Sequence, residues 1–329
     1  MAAGGFRTFV AGETLDEDKI NDFLMQGVLV FEDEAARDAA ITAPVHGQVA
    51  FLKDSDTVTF YDGASWQDLS GVNAFELEYV VVAGGGASGA RSGGGGGAGG
   101  YRSNVDTESS GGGSAGEPPN FIPLGTFSLS VGAGGAAGND RGGDGSDSTF
   151  YPVTCLGGGG GAYVFGDNRI GSPGGSGGGG AAWDSGTGGA GGAGTAAQGF
   201  AGGNAFTNSN RRSAGGGGAA GAGATSSTGL GGPGVSSSIT GTAVTRAVGG
   251  GGSGSTGSPS AGAVNTGNGG DGQNSGDGLN GGSGVIIFKV ADTVNVSFSA
   301  GVTQSVATGG GFSVYTVTET DPGSTVTIG

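Results

Sequence analysis

The sequence predicts a mostly β and irregular fold: a small α+β N-terminal domain, a glycine-rich domain of strands and polyglycine II helices packed as a bundle, and a short C-terminal β-meander. Two observations support this prediction. Of the 85 glycines, 72 lie between Gly84 and Gly284, in a block without lysine. Within that block a short β-rich segment repeatedly runs into a run of glycines. We place the three domains at residues 1–72, 73–290 and 291–329.

The glycine block cannot be held together by apolar side chains, because glycine has none and loses more backbone entropy on folding than other residues. The ordered solution is a set of extended left-handed helices with three residues per turn, whose N–H and C=O groups pair with adjacent helices. A three-residue period is visible at Gly269, Gly272, Gly278, Gly281 and Gly284. Collagen is a poor alternative, because it needs an unbroken Gly-X-Y period rich in proline, and this chain has 9 prolines.

The first 72 residues have an ordinary acidic composition and predict two helices and a hairpin. Thr14 and Glu17 form a capping box that predicts a first helix ending at Gly27. Asp33 is placed to cap a second helix. The remaining predicted elements are a strand at 28–31, the second helix at 34–40, and hairpin strands at 48–53 and 58–61, with Trp66 packed against the hairpin.

Strands in the rest of the chain are predicted where apolar residues alternate with small or polar ones. Four such segments precede glycine runs, at 75–82, 127–131, 153–156 and 243–248. The dense apolar segment 285–290 is expected to pair with 75–82 and to close the glycine-rich domain. The C-terminal meander is predicted from segments 294–298, 311–318 and 325–328, which are joined by turns.

Composition and charge argue against several classes of function. The single cysteine, Cys155, and the single histidine, His46, leave little for a disulfide framework, a zinc site or histidine-based catalysis. Cys155 follows a strand pattern and is interpreted as a small buried hydrophobic residue. The net charge of −16 disfavours binding to nucleic acid. No run approaches the ~18 apolar residues of a membrane span, so we expect a protein made in the cytosol without membrane insertion.

Catalytic motifs in the glycine block are expected by chance. Residues 174–178 fit the nucleophile-elbow pattern, but the one histidine, His46, lies in another predicted domain. A depolymerase would need paired carboxylates in a cleft, and the sequence alone does not place the candidates Asp140, Asp144, Asp167 and Asp184 relative to one another. We therefore predict no enzymatic activity, no catalytic residue and no cofactor.

The glycine-rich part resembles the glycine-rich domain of bacteriophage tail fibres and related virion proteins, over residues 75–290. The resemblance rests on YVVVAGGG at 79–86, AGGYR at 98–102, VGAGG at 131–135 and GGSGVII at 281–287. The front of the chain is similar to the head of phage minor tail and fibre proteins, at RTFVAGE 7–13, NDFLMQGV 21–28, GQVAF 47–51, and YDG 61–63 with Trp66.

The resemblance implies a location and a set of partners. Residues 1–72 are expected to attach to other virion proteins of the tail or the capsid, and the distal part to meet a receptor on the host surface. The family also implies a homo-oligomer, most often a trimer. The protein is then a component of the virion, made in the host cytoplasm.

Receptor contacts are expected where bulky or polar residues interrupt the glycine runs. A bundle of bare backbones must place such side chains at its rim, where aromatic faces and arginines suit contact with sugars or protein loops. The alternative is that they pack the outside of the bundle or a neighbouring subunit. The candidate residues are Tyr163, Phe165, Trp183, Phe200, Phe206, Arg211 and Arg212.

Three aspartates in one short segment are the candidate metal ligands. Asp140, Asp144 and Asp147 could supply oxygen ligands to Ca²⁺. Their spacing does not follow an EF-hand and Arg141 lies among them, which favours a solvated turn. We therefore predict no metal site.

The sequence predicts a non-enzymatic virion structural protein, a tail fibre or tail-tip adhesin that attaches to a glycan or an outer-membrane protein of the host. Two alternatives stay open. One is a capsid-decorating or head-fibre protein with a purely structural role. The other is an ice- or surface-binding protein, which would present regularly spaced threonine or alanine on a flat face.

Overall fold

The computed structural model describes residues 28–69, 75–166, 168–182, 188–206 and 212–329. The chain forms two compact units, residues 1–74 and 75–329. Strands and irregular segments dominate the described residues, which contain one short helix. The predicted mostly β and irregular fold is therefore confirmed. The predicted first helix, which begins near Thr14, lies outside the described residues.

The described part of the first unit is a four-stranded sheet with one helix, which connects the first strand to the second. Its elements are β1 (Leu29–Phe31), α1 (Glu34–Ala40), β2 (Val49–Leu52), β3 (Thr57–Tyr61) and β4 (Trp66–Asp68), and the strands lie in that order in the sheet. The β1–β2 pair is parallel and the others are antiparallel. Asp33 caps α1, because its carboxylate accepts a hydrogen bond from the Ala36 N–H at 2.7 Å. The predicted second helix and its cap are confirmed.

A buried arginine lies at the centre of this unit. Arg37 is 3% exposed, and its guanidinium carbon lies 4.7 Å from the centroid of the Trp66 ring. Its Nη1 donates to the Thr59 hydroxyl at 3.4 Å, and its Nε pairs with Asp38 at 2.8 Å. The aromatic face, the hydroxyl and the carboxylate together offset the cost of burying the charge. Trp66 also packs edge-on against Tyr61 of the hairpin, with ring centroids 5.7 Å apart.

Two larger sheets and one hairpin belong to the second unit. In chain order the strands are β5 (Phe75–Val82), β6 (Tyr101–Ser103), β7 (Asn120–Ile122), β8 (Gly125–Ser130), β9 (Ser148–Phe150), β10 (Val153–Cys155), β11 (Val235–Ser237), β12 (Val244–Arg246), β13 (Val285–Ala291), β14 (Val296–Phe298), β15 (Val302–Gly309), β16 (Phe312–Thr320) and β17 (Thr325–Ile328). One sheet has the order β15-β16-β13-β5-β6, with β7 also paired to β5. The other has the order β10-β9-β8-β17-β14, and β11 pairs with β12.

The apolar core of the second unit packs between these two sheets. Phe288 of β13 lies at its centre, with its ring centroid 5.0 Å from that of Phe150 and 5.1 Å from that of Tyr315. The predicted pairing of the closing strand with the first strand is confirmed, since β13 and β5 are antiparallel neighbours with Ile287 opposite Val80. Residues 291–329 supply strands to both sheets, β16 beside β13 and β17 beside β8, and lie in the same compact unit as the glycine-rich part.

The glycine runs form a hydrogen-bonded bundle around residues 94–100. N–H groups of this run donate to three neighbouring segments in turn, so that every third residue donates to the same segment, at 2.8–3.0 Å. Residues 94, 97 and 100 donate to segment 156–162, and residues 95 and 98 donate to segment 214–217. Residues 96 and 99 donate to segment 267–270. Its carbonyl groups accept from three further neighbours, segments 83–89 and 176–179 and Gly250. A helix with three residues per turn and six surrounding helices is the polyglycine II arrangement that the glycine period predicts.

Side chains replace backbone acceptors at the edge of this bundle. The carboxylates of Asp144 and Asp147, three residues apart, accept from the N–H groups of Gly160 and Gly157 at 2.7 and 2.8 Å. A second pair has the same spacing, since Asn268 and Asp271 accept from Val248 and Gly251. An outer helix lacks a neighbour on one side, and these oxygens satisfy N–H groups that would otherwise have no partner there.

Candidate functional site

The glycine runs alternate in direction, so their turns lie at both ends of the bundle, and we call the end that carries turns 90–93 and 273–277 the loop end. The Ala90 N–H donates to the Asp140 carbonyl at 2.9 Å, and the Ser92 N–H donates to the Gln273 carbonyl at 2.8 Å. The carbonyl of Ser92 also accepts from the Ser213 hydroxyl. The described residues of the loop end are 90–93, 138–141, 163–166, 168–170, 206, 212, 225–228, 253–258 and 273–277. Strands β5, β6 and β13 leave the bundle at the opposite end, the sheet end.

Two of the predicted contact residues form an aromatic pair at the loop end. The Tyr163 N–H donates to the Asn168 carbonyl at 2.8 Å, which closes the loop that carries the pair. The rings of Tyr163 and Phe165 meet edge to face, with centroids 5.3 Å apart. Tyr163 is half-buried against a small cluster of Ala162, Val164 and Ala181, and Phe165 is 41% exposed. The buried cluster therefore fixes an aromatic pair that faces solvent.

Two further predicted residues flank the turn 225–228 of the loop end. Phe206 is 57% exposed, and its N–H donates to the Ser226 hydroxyl at 2.9 Å. Nη1 of Arg212 donates to the Ser227 carbonyl at 3.0 Å. Four of the seven predicted contact residues therefore lie at the same end of the bundle.

The other three predicted contact residues are not placed with these four. Phe200 lies at the sheet end, where its N–H donates to the Gly218 carbonyl and its ring packs beside Gly113. Its half-buried ring fills the outside of the bundle, which is the alternative that the sequence left open. Trp183 and Arg211 lie outside the described residues.

Sequence reasoning missed two exposed residues of the loop end. Arg91 occupies the first turn with φ +48°, and Ser92 beside it has φ +65°, both in the left-handed region. Ile170, in the loop that follows the aromatic pair, is 54% exposed. The sequence carries a weak signal for the turn, because Arg91 and Ser92 interrupt a stretch of glycine and alanine. No pattern marks Ile170.

The described residues of the loop end differ in charge from the whole chain. They include two aspartates, Asp140 and Asp277, within a chain of net charge −16. The same residues include four arginines, which are Arg91, Arg141, Arg169 and Arg212. Guanidinium groups suit forked hydrogen bonds, and aromatic rings suit stacking, which are contacts by which sugars and acidic protein loops are bound.

The three candidate metal ligands each accept a hydrogen bond from a different residue. Asp144 and Asp147 accept from the backbone of Gly160 and Gly157, and Asp140 accepts from the Asn168 side-chain amide at 3.2 Å. In the described parts of the chain, no three histidine, cysteine, aspartate or glutamate residues are grouped as metal ligands. The positions of these aspartates fit a structural role in the bundle.

Buried and half-buried titratable groups near β5 form a structural network. Glu117 accepts from the Tyr79 hydroxyl and from Nε and Nη2 of Arg102. Burial, together with Glu117, raises the pKa of Tyr79 far above its usual value, and Glu117 raises the pKa of Arg102. Burial also raises the pKa of Tyr101 to about 12 and that of Cys155 far above its usual value. These shifts keep each group in its ordinary protonation state at neutral pH.

The outer face of the sheet β10-β9-β8-β17-β14 consists entirely of hydroxyl residues. Inward residues of these strands, such as Phe127 and Val326, are buried, and the residues between them point outward. Two cross-strand pairs bond directly, Thr126 with Thr327 at 2.8 Å and Ser130 with Thr149 at 2.7 Å. The outward residues are Thr126, Ser128, Ser130, Thr149, Thr154, Ser297, Thr325 and Thr327.

Comparison with known proteins identifies the class of this chain. The model of the glycine-rich domain family matches residues 60–291, so the chain belongs to that family. No curated protein and no solved structure matches the chain. In the part of the chain that the structure describes, no helix combines the length and apolar character that crossing a bilayer requires.

Proposed function

We propose that this chain is a non-enzymatic virion structural protein, a tail fibre or tail-tip adhesin that takes part in host-cell recognition and attachment. The resemblance of both parts of the chain to phage fibre proteins supports this proposal, and so does membership of the glycine-rich domain family. A bundle held by backbone hydrogen bonds makes a stiff support, because each helix is bonded to several neighbours.

The observation that carries the proposal is the composition of the loop end. Alternate turns between glycine runs return to this end, so residues far apart in sequence, such as Phe165 and Phe206, lie at the same end of the bundle. Aromatic anchors and arginines are the side chains that most often dominate binding energy at protein interfaces. We propose that this end contacts a glycan or an outer-membrane protein of the host.

We further propose that residues 1–72 attach the protein to the virion. The face of the first unit's sheet opposite the buried residues Ala50, Leu52 and Thr59 carries a charge-free row of Val30, Phe51 and Val58, which are direct neighbours on three strands. Val30 is 56% exposed and Val58 is 36% exposed. An exposed apolar row in an otherwise acidic segment suits contact with another protein.

The proposal is tested by binding of the purified full chain to a panel of bacterial strains, measured by flow cytometry. The double substitution Phe165→Ala and Phe206→Ala should reduce binding at least tenfold while the melting temperature is kept. Val264→Ala is the matched control, because Val264 is 73% exposed in a turn at the sheet end. Absence of binding to every strain, together with antibody labelling of capsids, would replace the adhesin by a capsid-decorating protein.

The hydroxyl face favours a second candidate function, binding to ice or another regular surface. Eight outward residues on five adjacent strands, five of them threonine and three serine, give this face the hydroxyl groups on which such a function would depend. Neighbouring strands are about 4.8 Å apart, which sets the distance between hydroxyls that lie opposite each other on adjacent strands. Inhibition of ice recrystallisation that is lost in Ser128→Lys and kept in Val264→Lys would support this function, and no inhibition at all would remove it.

A further inference from the structure

Strand β15 is the longest edge strand in the described residues. It has eight residues and ends one of the two large sheets, whereas every other described strand at a sheet edge has three. Residues 303–309 are exposed, so solvent reaches both faces of the strand. On an edge strand, alternate N–H and C=O groups point away from the sheet and have no strand beside them.

The usual protections of an edge strand are missing from β15. Natural edges are guarded by charged residues, proline or bulges that twist the strand away. Residues 302–309 contain no charged residue and no proline. The register shift beside Thr303 is a bulge in β16 and not in β15. Glu319 opposes Thr303 and Val317 opposes Gln304, so Thr318 of β16 is the extra residue. Residues 304–309 of the outer strand therefore keep a regular ladder.

We propose that β15 pairs with β15 of a second copy of this chain, antiparallel about a two-fold axis. Strand length identifies the occupant, because no other edge strand in the described parts could match more than three residues of β15. Two-fold pairing is also self-complementary, since the same patch serves both copies. The product is a dimer, in contrast to the trimer that the family resemblance implies.

Charge favours the antiparallel direction. Residues 293–318 contain no charged residue, so this part of a chain with net charge −16 can approach a copy of itself without repulsion. Glu319 and Asp321 lie at the N-terminal end of β15, where the Asp321 N–H donates to the Gly301 carbonyl. At the other end the nearest acidic residue is Asp292, two strands away, whose N–H donates to the Gly311 carbonyl. Antiparallel pairing separates Glu319 and Asp321 of the two copies by roughly 20 Å along the ladder, and parallel pairing would bring them together.

A groove beside β15 offers room for side chains of the second copy. It has a volume of about 480 Å³ and lies between β15 and the turn of the β11–β12 hairpin. Ile239, Phe312 and Val314 supply apolar surface to it. Val306, which is 51% exposed on β15, and Phe312, which is 44% exposed, would be covered by the added strand.

The test is the mass of the full chain in solution, measured by light scattering and by analytical ultracentrifugation over a hundredfold range of concentration. The wild-type protein should reach the mass of a dimer. Val306→Lys should raise the dissociation constant at least tenfold, because the two introduced lysines would lie close together in the ladder. Leu230→Lys is the matched control, because it adds the same positive charge at a residue that is 46% exposed near the loop end.

Cross-linking provides a second, independent readout. Single substitutions Ser305→Cys, Val306→Cys and Ala307→Cys should include at least one that forms an intermolecular disulfide under mild oxidation, whereas Leu230→Cys should form none. The native Cys155 is buried and does not compete. A monomeric wild-type protein overturns the proposal, and so does a dimer or trimer that Val306→Lys leaves intact. Loss of self-association would leave host-cell binding by the loop end to be judged separately, so the two proposals fail independently.

Discussion

Individual glycines differ in what the bundle requires of them. A Cβ on Gly216 would collide with the carbonyl of Gly96, and one on Gly158 would collide with that of Gly97. Both carbonyls belong to the central run, which cannot move without breaking hydrogen bonds to several neighbours. Around Gly138, by contrast, no atom lies within 4 Å of the added Cβ. Close approach of backbones, rather than turn geometry, therefore makes glycine necessary at the interior positions.

Gly216→Val should destabilise the protein severely, because the obstructing atoms are backbone. We expect a loss of more than about 3 kcal/mol in the free energy of unfolding, or failure to fold, measured by urea denaturation. Gly138→Val makes the same change of side chain in open space and should shift that free energy by less than about 1 kcal/mol. Equal losses of unfolding free energy in the two variants would contradict the close backbone packing around Gly216.

Cys155 should be chemically inert in the folded protein. Its side chain is fully buried, its Sγ donates to the Val81 carbonyl at 3.1 Å, and burial raises the pKa of the thiol. A raised pKa means that less reactive thiolate is present at pH 8 than in an exposed cysteine. Labelling with a disulfide reagent should therefore reach one equivalent only in denaturant. Rapid labelling of the native protein would show that the core between the sheets opens readily.

At the level of elements, side-chain acceptors define the edge of the bundle. Asp271 is the best connected of them, because its carboxylate accepts from the Gly251 N–H at 2.7 Å and from the N–H and hydroxyl of Ser260 at 3.0 Å. Asn268, three residues earlier, makes the matching bond to Val248. The spacing of three equals one turn of the helix, so both oxygens lie on the same side of the run.

Removal of the Asp271 carboxylate should loosen this edge. Asp271→Ala leaves the Gly251 N–H without its acceptor and should cost about 1–3 kcal/mol of unfolding free energy. Asp271→Asn keeps one carbonyl oxygen and should recover much of that loss. The control is Asp292→Ala, because Asp292 is exposed and its carboxylate makes no hydrogen bond within the described residues. A loss in Asp292→Ala as large as that in Asp271→Ala would refute the edge-acceptor role.

The sequence predicts those elements whose pattern is long enough to show a period. The pairing of β5 with β13 follows from two dense apolar strands, and α1 follows from its cap at Asp33. Strands β6, β9 and β11 have three residues each, too few to reveal alternation. Strand β15 was missed because VTQSVATG is exposed along almost its whole length and so carries no inward apolar face.

The candidate site is predictable in part for a similar reason. Interruptions of the glycine runs identified Tyr163, Phe165, Phe206 and Arg212, since a bundle of bare backbones has room for large side chains only at its rim. The same rule also selected Phe200, which lies at the sheet end, because composition does not reveal at which end of a run a residue falls. Which turns share an end depends on hydrogen bonds between segments up to about two hundred residues apart, such as Ser92 with Gln273.

For the whole molecule, the question is whether the bundle and the sheets are one cooperative structure. The two are covalently and physically continuous, because β5 runs into the central part of the bundle and β13 leaves it. The Ala83 N–H donates to the Gly100 carbonyl at 3.0 Å, next to the ladder in which Val82 opposes Tyr101. The chain therefore passes from the β5–β6 ladder at Val82 to the hydrogen bonds of the bundle at Ala83 without a break.

Hydrogen exchange of the native protein, followed by NMR, tests this continuity. Amides of residues 94–100 are buried and bonded to neighbouring runs, so we expect them to exchange as slowly as those of β13, near the limit of global unfolding. Amides of the turn 225–228 at the loop end should exchange much faster, since local opening there breaks few bonds. If residues 94–100 instead exchanged orders of magnitude faster than β13, the bundle would open without the sheets. It would then be too loose a support to hold the loop-end side chains in one arrangement.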